Sequence, residues 1–321
     1  MNILLTDCTF TCLDSYETSA EVLWQLLQSL SRLPVTSIEM TVPVYKKLSS
    51  YRLLPKSKKY ILRIDSTQRV DAYPGFFGYS MTDRRVREAG NSGCEFIFLP
   101  QGGGAMSLST QEAAYMRFCG FADLVGIRAR SRFGALLVQE ADSELDARDD
   151  FGCATALTVE WCRMGGKRAA VSFAGIGGHA CLEEVLLALH SEKMVMIEEN
   201  MMTLQKASRL FCQITGQKIA TNKPVLGEHI FYVEAGIHVD GILKNPELYE
   251  PYPPELVGLK RQVVLGRYSG RSAIAAKLKE LKLDKKDIDM NRLLASLKKK
   301  SLVQKSTISN HDFVELVKEL A

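Results

Sequence analysis

Over roughly the first 190 residues, short apolar runs alternate with helix-length amphipathic stretches, and this alternation constrains the fold more than any other feature of the 321-residue chain. Strand candidates are Asn2 to Phe10, Ser37 to Val44, Tyr60 to Ile64, Phe96 to Leu99, Gly120 to Gly126, Glu144 to Arg148 and Ala169 to Ala174. After the first, Thr18-Ser19-Ala20-Glu21 has the spacing of a capping box, and Leu23, Leu26, Leu27 and Leu30 recur on one helical face. Seven such units point to a (β/α)8 barrel with one unit abbreviated. A doubly wound open sheet is the alternative. Against it, no GxGxxG follows the first strand, and Gly102-Gly103-Gly104 lacks the spacing of a phosphate cradle and reads as a loop.

Composition narrows the partners. Forty-one basic against 37 acidic residues leave a net charge of only +4, which does not argue for nucleic acid. No apolar run approaches the roughly 18 residues of a membrane span, and the chain enters a strand with no basic leader region, so a cytoplasmic protein is expected. The eight cysteines, at 8, 12, 94, 119, 153, 162, 181 and 212, form no CxxC pair. They read as reduced thiols, most of them in the core.

From Leu182 the period changes. Helical stretches cover Glu183 to His190 and Glu198 to Ile214, and Gly216 stops the second. The segment Gly227 to Gly270 is rich in Tyr, Pro and Gly and reads as a small subdomain, followed by a lysine-rich helical tail with Ser309 as the N-cap of its last helix. Lys298-Lys299-Lys300 reads as a solvated helix face, and so do the arginine groups 84, 85, 87 and 128, 130, 132, for which acyl-CoA phosphates are the alternative ligand. Met194, Met196, Met201 and Met202 suit an adaptable packing surface or ordinary core.

Three stretches carry a family resemblance. Gly227 to Leu278 reads GEHIFYVEAGIHVDGILKNPELYEPYPPELVGLKRQVVLGRYSGRSAIAAKL; DDFGCATAL spans Asp149 to Leu157, with GIG at 175 to 177; and LTDCTFTCLD spans Leu5 to Asp14. In this order they resemble the HESGIHVDG, KNP, YEP and LGKHSGR run, the HND-GMATAN segment and the D-T-T-L-R-D-G-E-Q opening of the Claisen-condensing acyltransferases. That family includes homocitrate, 2-isopropylmalate and citramalate synthases. The resemblance implies a degenerate (β/α)8 TIM barrel over 1-190, linker helices over 191-226, a small α+β lid subdomain over 227-278 and a C-terminal helical subdomain over 279-321.

Such enzymes join acetyl-CoA to a 2-oxo acid with a divalent metal that polarises the carbonyl, held by a carboxylate and two imidazoles at strand ends. By the resemblance, the arginine and metal-binding aspartate of R-D-G-E fall on Thr11 and Cys12, its glycine and glutamate on Leu13 and Asp14, and the two histidines on Asp146 and Arg148. A guanidinium offers a dication repulsion and no lone pair. The expectation is therefore that this chain binds no metal itself. Asp14, Asp146 and His179 are weighed as a replacement site, against aspartates serving as loop and cap residues and His179 as a solvent-facing loop residue.

The lid keeps what the barrel has lost. His238 stands at the histidine of GIH and Tyr249 at the tyrosine of YEP, the pair that in this family assists proton transfer in a neighbouring chain's site. A histidine titrating near roughly 6.5 can act as acid or base, with a tyrosine hydroxyl polarising it. Otherwise His238 merely satisfies backbone groups of a tight Gly-Ile-His-Val turn. Val233, Ala235 and Tyr268 replace a histidine, a serine and a histidine of the family's lid.

The resemblance is nearest to omega-type subunits of split homocitrate synthases, which implies a heteromeric acyltransferase in nitrogen fixation. Here a pseudoenzyme barrel would donate lid residues to an intact-barrel homologous subunit carrying the divalent metal, with acetyl-CoA and 2-oxoglutarate as substrates. A homodimeric, self-sufficient synthase with a rebuilt site and a non-catalytic regulatory binding subunit are the competing readings.

Overall fold

The structure is a computed structural model and describes residues 3–65, 68, 70–82, 94–98, 115–122, 127–139, 142–197, 201–283 and 288–320. The chain divides into two compact units, residues 1–220 with 224–226, and residues 221–223 with 227–321. Gly102-Gly103-Gly104 and Arg84, Arg85 and Arg87 lie outside the described residues. No described helix is long and apolar enough to cross a membrane.

In the first unit, β1 (Leu4–Cys8), β2 (Ser37–Thr41), β3 (Lys59–Arg63), β4 (Gly78–Thr82), β5 (Cys94–Phe98), β6 (Tyr115–Phe121), β7 (Glu144–Ala147) and β8 (Arg168–Ser172) pair in sequence order, and β1 also pairs with β8, which closes a barrel. β9 (Ala180–Cys181) extends β8. Pairing is parallel except at β5, which runs antiparallel to β4 and to β6. A reversed strand needs no crossover helix on either side, which lets eight strands close between Leu4 and Ser172.

Seven expected strands become eight. The added one, β4, reads Gly-Tyr-Ser-Met-Thr, and its Ser80 points inward and donates to Glu39 Oε1 at 2.6 Å. β6 begins at Tyr115 where the sequence pattern begins at Gly120, because Arg117 inside it breaks the apolar run.

Arg117 is fully buried between Glu39 (2.6 Å) and Glu144 (2.6 Å), Arg63 adds a bond to Glu39 (2.9 Å), and the Thr6 hydroxyl donates to Glu144 (2.6 Å). Burial alone would push Glu39 up, but Arg117 and Arg63 hold its carboxyl far below the usual range. This barrel is thus filled by a buried ionic network where aliphatic layers are usual.

Helices α1 (Thr9–Cys12), α2 (Ala20–Leu30), α3 (Val42–Tyr51), α4 (Ile127–Gln139), α5 (Ala154–Arg163), α6 (Leu182–Ser191) and α7 (Thr203–Thr215) belong to the same unit. The N-cap of α2 is Ser19, whose hydroxyl accepts from Val22 N at 3.2 Å, one residue later than a box opening on Thr18. Leu23, Leu26, Leu27 and Leu30 are all buried. Helix α7 packs within this unit: Thr203 Oγ1 donates to Ser29 O (2.8 Å), and Phe211 meets Phe173 edge-on at 5.5 Å. Gly216 ends α7 in the left-handed conformation (φ 69°). Arg130 pairs with Glu160 (2.6 Å), and Arg132 lies 5.0 Å from the Phe121 ring centre.

The second unit contains β10 (Tyr232–Val233) paired with β11 (Gln262–Val263), and α8 (Gly236–Lys244), α9 (Arg271–Glu280), α10 (Met290–Gln304) and α11 (Asn310–Leu320). One core joins them through Val239, Ile274, Leu278, Leu293, Leu297, Phe313 and Val317. Ser309 caps α11 by accepting from Asp312 N at 3.0 Å, and Lys300 bridges α10 to Asp312 at 2.8 Å.

Candidate functional site

At one mouth of the barrel an open cavity of about 360 Å³ is lined by Thr11, Cys12, Arg63, Cys119, Gly120, Asp146, Arg148, Gly177 and His179. Strand β7 delivers Asp146, and Arg148 follows directly, bridged to His179. The loop Phe173–Gly178 delivers His179 through left-handed residues, among them Ala174 (φ 55°) and Gly177 (φ 72°). Gly177 must be glycine twice over. Its φ is unfavourable to a side chain, and a Cβ there would collide with Cys12 Sγ and lie 3.3 Å from His179 Cδ2.

His179 is therefore buried, against the reading as a solvent-facing loop residue. Its Nδ1 lies 2.5 Å from Asp146 Oδ1. Burial disfavours the imidazolium, yet the charge and hydrogen bond of Asp146 outweigh it and raise the histidine to about 9. Reciprocally, burial pushes Asp146 up but His179 holds it below the usual carboxylate range. Arg148 NH1 sits 3.2 Å from Nδ1 and 3.3 Å from Nε2 of the same ring, 3.8 Å from Asp146, and its other nitrogen donates to Gly177 O. Asp14 is exposed and does not line the cavity, so the structure brings together only two of the three residues weighed as a replacement site.

These residues do not suit the divalent metal that the resemblance implies. Thr11 donates its hydroxyl proton to Cys8 O at 2.7 Å, Asp146 is engaged by His179, and Arg148 covers the imidazole nitrogens with a fixed positive charge. Among the described residues, Cys181, Glu183 and Glu184 do converge in a metal-compatible group elsewhere. There, however, Glu183 already accepts from Ala174 N (3.0 Å) and Glu184 from Thr155 Oγ1 (3.2 Å).

Cys12 and Cys119 face this cavity, a departure from the expectation that most cysteines are core. Among the cysteines whose side chains are described, all free, Cys8 and Cys162 alone are buried. Cys12, Asp146 and Arg148 are legible in the sequence as departures from a motif, and His179 as a member of the weighed replacement site. The inclusion of Arg63 and Cys119 has no local sequence signal, since each sits on a strand whose inward face only the closed sheet defines.

In the second unit, His238 and Tyr249 are brought together with ring centres 5.9 Å apart. Both are exposed. Gly236-Ile-His-Val opens helix α8 and is not a tight turn, so His238 projects, exposed, from the first turn of a regular helix. Tyr249 lies against Gly241, where any Cβ would overlap its ring, and the neighbouring Glu250 is gripped by Arg261 through bonds of 2.6 and 2.5 Å. Next to the pair in sequence, Ile237 and Leu248 expose 78% and 76% of their surface, large apolar side chains turned to solvent. Glu234, between Val233 and Ala235, accepts from Tyr268 N at 2.8 Å.

Residues 225–305 match the family described as homocitrate synthase post-HMGL domain-like. The chain is 35% identical over 190 residues to the omega subunit of homocitrate synthase from Clostridium pasteurianum, covering 59% of this chain and 52% of the relative. It is 36% identical over 163 residues to a homocitrate synthase from Methanothermobacter thermautotrophicus, covering 50% and 42%. It is 37% identical over 175 residues to an (R)-citramalate synthase from Methanocaldococcus jannaschii, covering 54% and 35%. The match thus spans about half the length of the first relative and less of the other two.

Proposed function

We infer that this chain, a member of the homocitrate synthase and 2-isopropylmalate synthase family, is a subunit of a homocitrate synthase-type acyltransferase that lends its lid to a partner chain. The observation carrying this reading is an asymmetry. The barrel cavity presents a guanidinium and an engaged imidazole where a metal cage belongs, whereas His238 and Tyr249 stand exposed and adjacent, with Ile237 and Leu248 turned to solvent next to them in sequence.

The partner is an intact-barrel homologue, and the substrates are acetyl-CoA and 2-oxoglutarate. The name of the Clostridium relative, an omega subunit, supports a divided enzyme. A divalent metal in the partner's barrel would supply carbonyl polarisation. This chain's part is to move protons. His238, with a ring nitrogen free to give or take a proton at the reacting carbon or the new hydroxyl, is oriented by the Tyr249 ring, and the exposed Ile237 and Leu248 exclude water when covered. Free thiols at the described cysteines accord with work in the reducing cytoplasm.

The test is condensation of acetyl-CoA with 2-oxoglutarate by the purified chain, alone and with an intact-barrel homologue. Activity only in the mixture, abolished by His238→Ala, supports the reading. Activity of the chain alone makes it a self-sufficient synthase, and mixture activity indifferent to His238 makes it a regulatory subunit.

A further inference from the structure

We propose that the cavity at the barrel mouth, where the resemblance places a divalent cation, is instead a site for a small oxyanion, a dicarboxylate or a phosphate, held by Arg148 and Arg63. The proposal concerns the first unit alone and does not rest on the lid function, which has its own test.

Charge is layered at this mouth. The carboxylates of Asp7, Glu39, Glu144 and Asp146 are all buried, whereas the side chains of Arg63 and Arg148 keep 28% and 30% of their surface open, and both line the cavity. Each acid is already engaged: Glu39 by Arg117 and Ser80, Glu144 by Arg117 and Thr6, Asp146 by His179 and Asp7 by Thr9. The charge that reaches the opening is therefore positive.

Arg148 lacks a carboxylate of its own. One of its terminal nitrogens stands 3.2 Å from Nδ1 and 3.3 Å from Nε2 of His179, and such near-equal distances place it over the ring face, since in the ring plane it would overlap Cε1. Asp146 makes its short bond, 2.5 Å, to the imidazole and stays 3.8 Å from Arg148, beyond hydrogen-bond reach. The same Asp146 keeps the ring protonated up to about 9. Two cationic groups thus meet face to face with one anion between them, and an anion entering the cavity supplies the missing counter-charge. The other terminal nitrogen donates to Gly177 O, which fixes the guanidinium plane. Gly177 and Gly120, the latter at a bulge of β6, line the cavity without side chains and leave room for the ligand. A guanidinium presents its donors in a rigid fork that matches two oxygens of a carboxylate or phosphate, and two such forks on one cavity favour a dianion. The volume, about 360 Å³, is at the small end of ligand sites and suits a molecule of that size.

The experiment is isothermal titration calorimetry of the full-length chain with succinate and with inorganic phosphate, against acetate as the monoanion. The expected result is one saturable site for at least one dianion, with acetate about tenfold weaker or more. Tighter succinate marks a carboxylate site and tighter phosphate a phosphate site. Arg148→Met should weaken the preferred dianion about tenfold or more, whereas Arg130→Met, which removes an arginine outside the cavity, should change it less than about twofold. No saturable binding of either dianion, acetate as tight as the dianion, or an affinity unmoved by Arg148→Met in a chain with native near-UV circular dichroism overturns the proposal. Should Arg148→Met fail to fold, the His179 ring resonances of the unmodified chain decide: a shift on saturation with the dianion upholds the proposal and an unmoved signal overturns it.

Discussion

Nδ1 of His179 lies 2.5 Å from Oδ1 of Asp146, at the mouth of a barrel whose interior is held by the ion pairs of Arg117 with Glu39 and Glu144. The pair makes stability depend on pH in a defined window. An unfolded histidine titrates at 6.5 and the folded one at about 9, so between those values the folded chain holds a proton that the unfolded chain has lost. Stability from this group is complete below about 6.5 and is lost as pH rises through about 9. Urea unfolding at stepped pH should show that fall, and Asp146→Asn should flatten it.

Asp7 adds a lower step of the same sign. Burial raises it from 3.8 to about 6 despite the hydrogen bonds from Thr9, so the folded chain again binds the proton more tightly and stability drops between those values as pH rises. Asp7→Asn should abolish the lower step and leave the upper one in place.

Arg117 is bonded to Glu39 and Glu144 with no exposed side-chain surface. Its removal leaves Glu144 buried without its cation and Glu39 with Arg63 alone. Arg117→Met should cost roughly 3–5 kcal/mol, measured as a lowered urea midpoint, and pairing it with Glu39→Gln should recover part of the loss.

Phe211 on α7 packs against Phe173, and both are almost wholly buried. Phe211→Ala should destabilise the barrel unit by about 3–5 kcal/mol and open the segment around α7 to limited proteolysis. An α7 that is only a spacer would tolerate the change.

Gly241 lies beneath the Tyr249 ring on α8. Gly241→Ala improves helix propensity by about 1 kcal/mol yet displaces the tyrosine. The expected outcome is a melting temperature unchanged or raised together with a loss of His238-dependent activity in the two-chain assay, matching Tyr249→Phe in direction.

How much was legible follows from which residues face which neighbours. The leucine face of α2, the stop at Gly216 and the cap at Ser309 are local devices whose partners lie within a few residues, and each is where the pattern puts it. β4 and the start of β6 were hidden because Ser80 and Arg117 break the apolar run, and they can be strand residues only because Glu39 and Glu144 arrive from other strands to bind them. The same holds for His179, whose glycine-rich flanks read as surface until Asp146, 33 residues away, takes its nitrogen.

The order of residues along the chain by itself determined the alternating elements, the resemblance and the departures from its motifs at Cys12 and Arg148, because those depend on side-chain type and short-range periodicity. Only the tertiary structure decided that eight strands close, that their interior is ionic, and that Cys12, His179, Asp146 and Arg148 share one cavity. A buried charge is tolerable solely where its counter-charge is delivered, and that delivery is made by strand closure across separations no local pattern records.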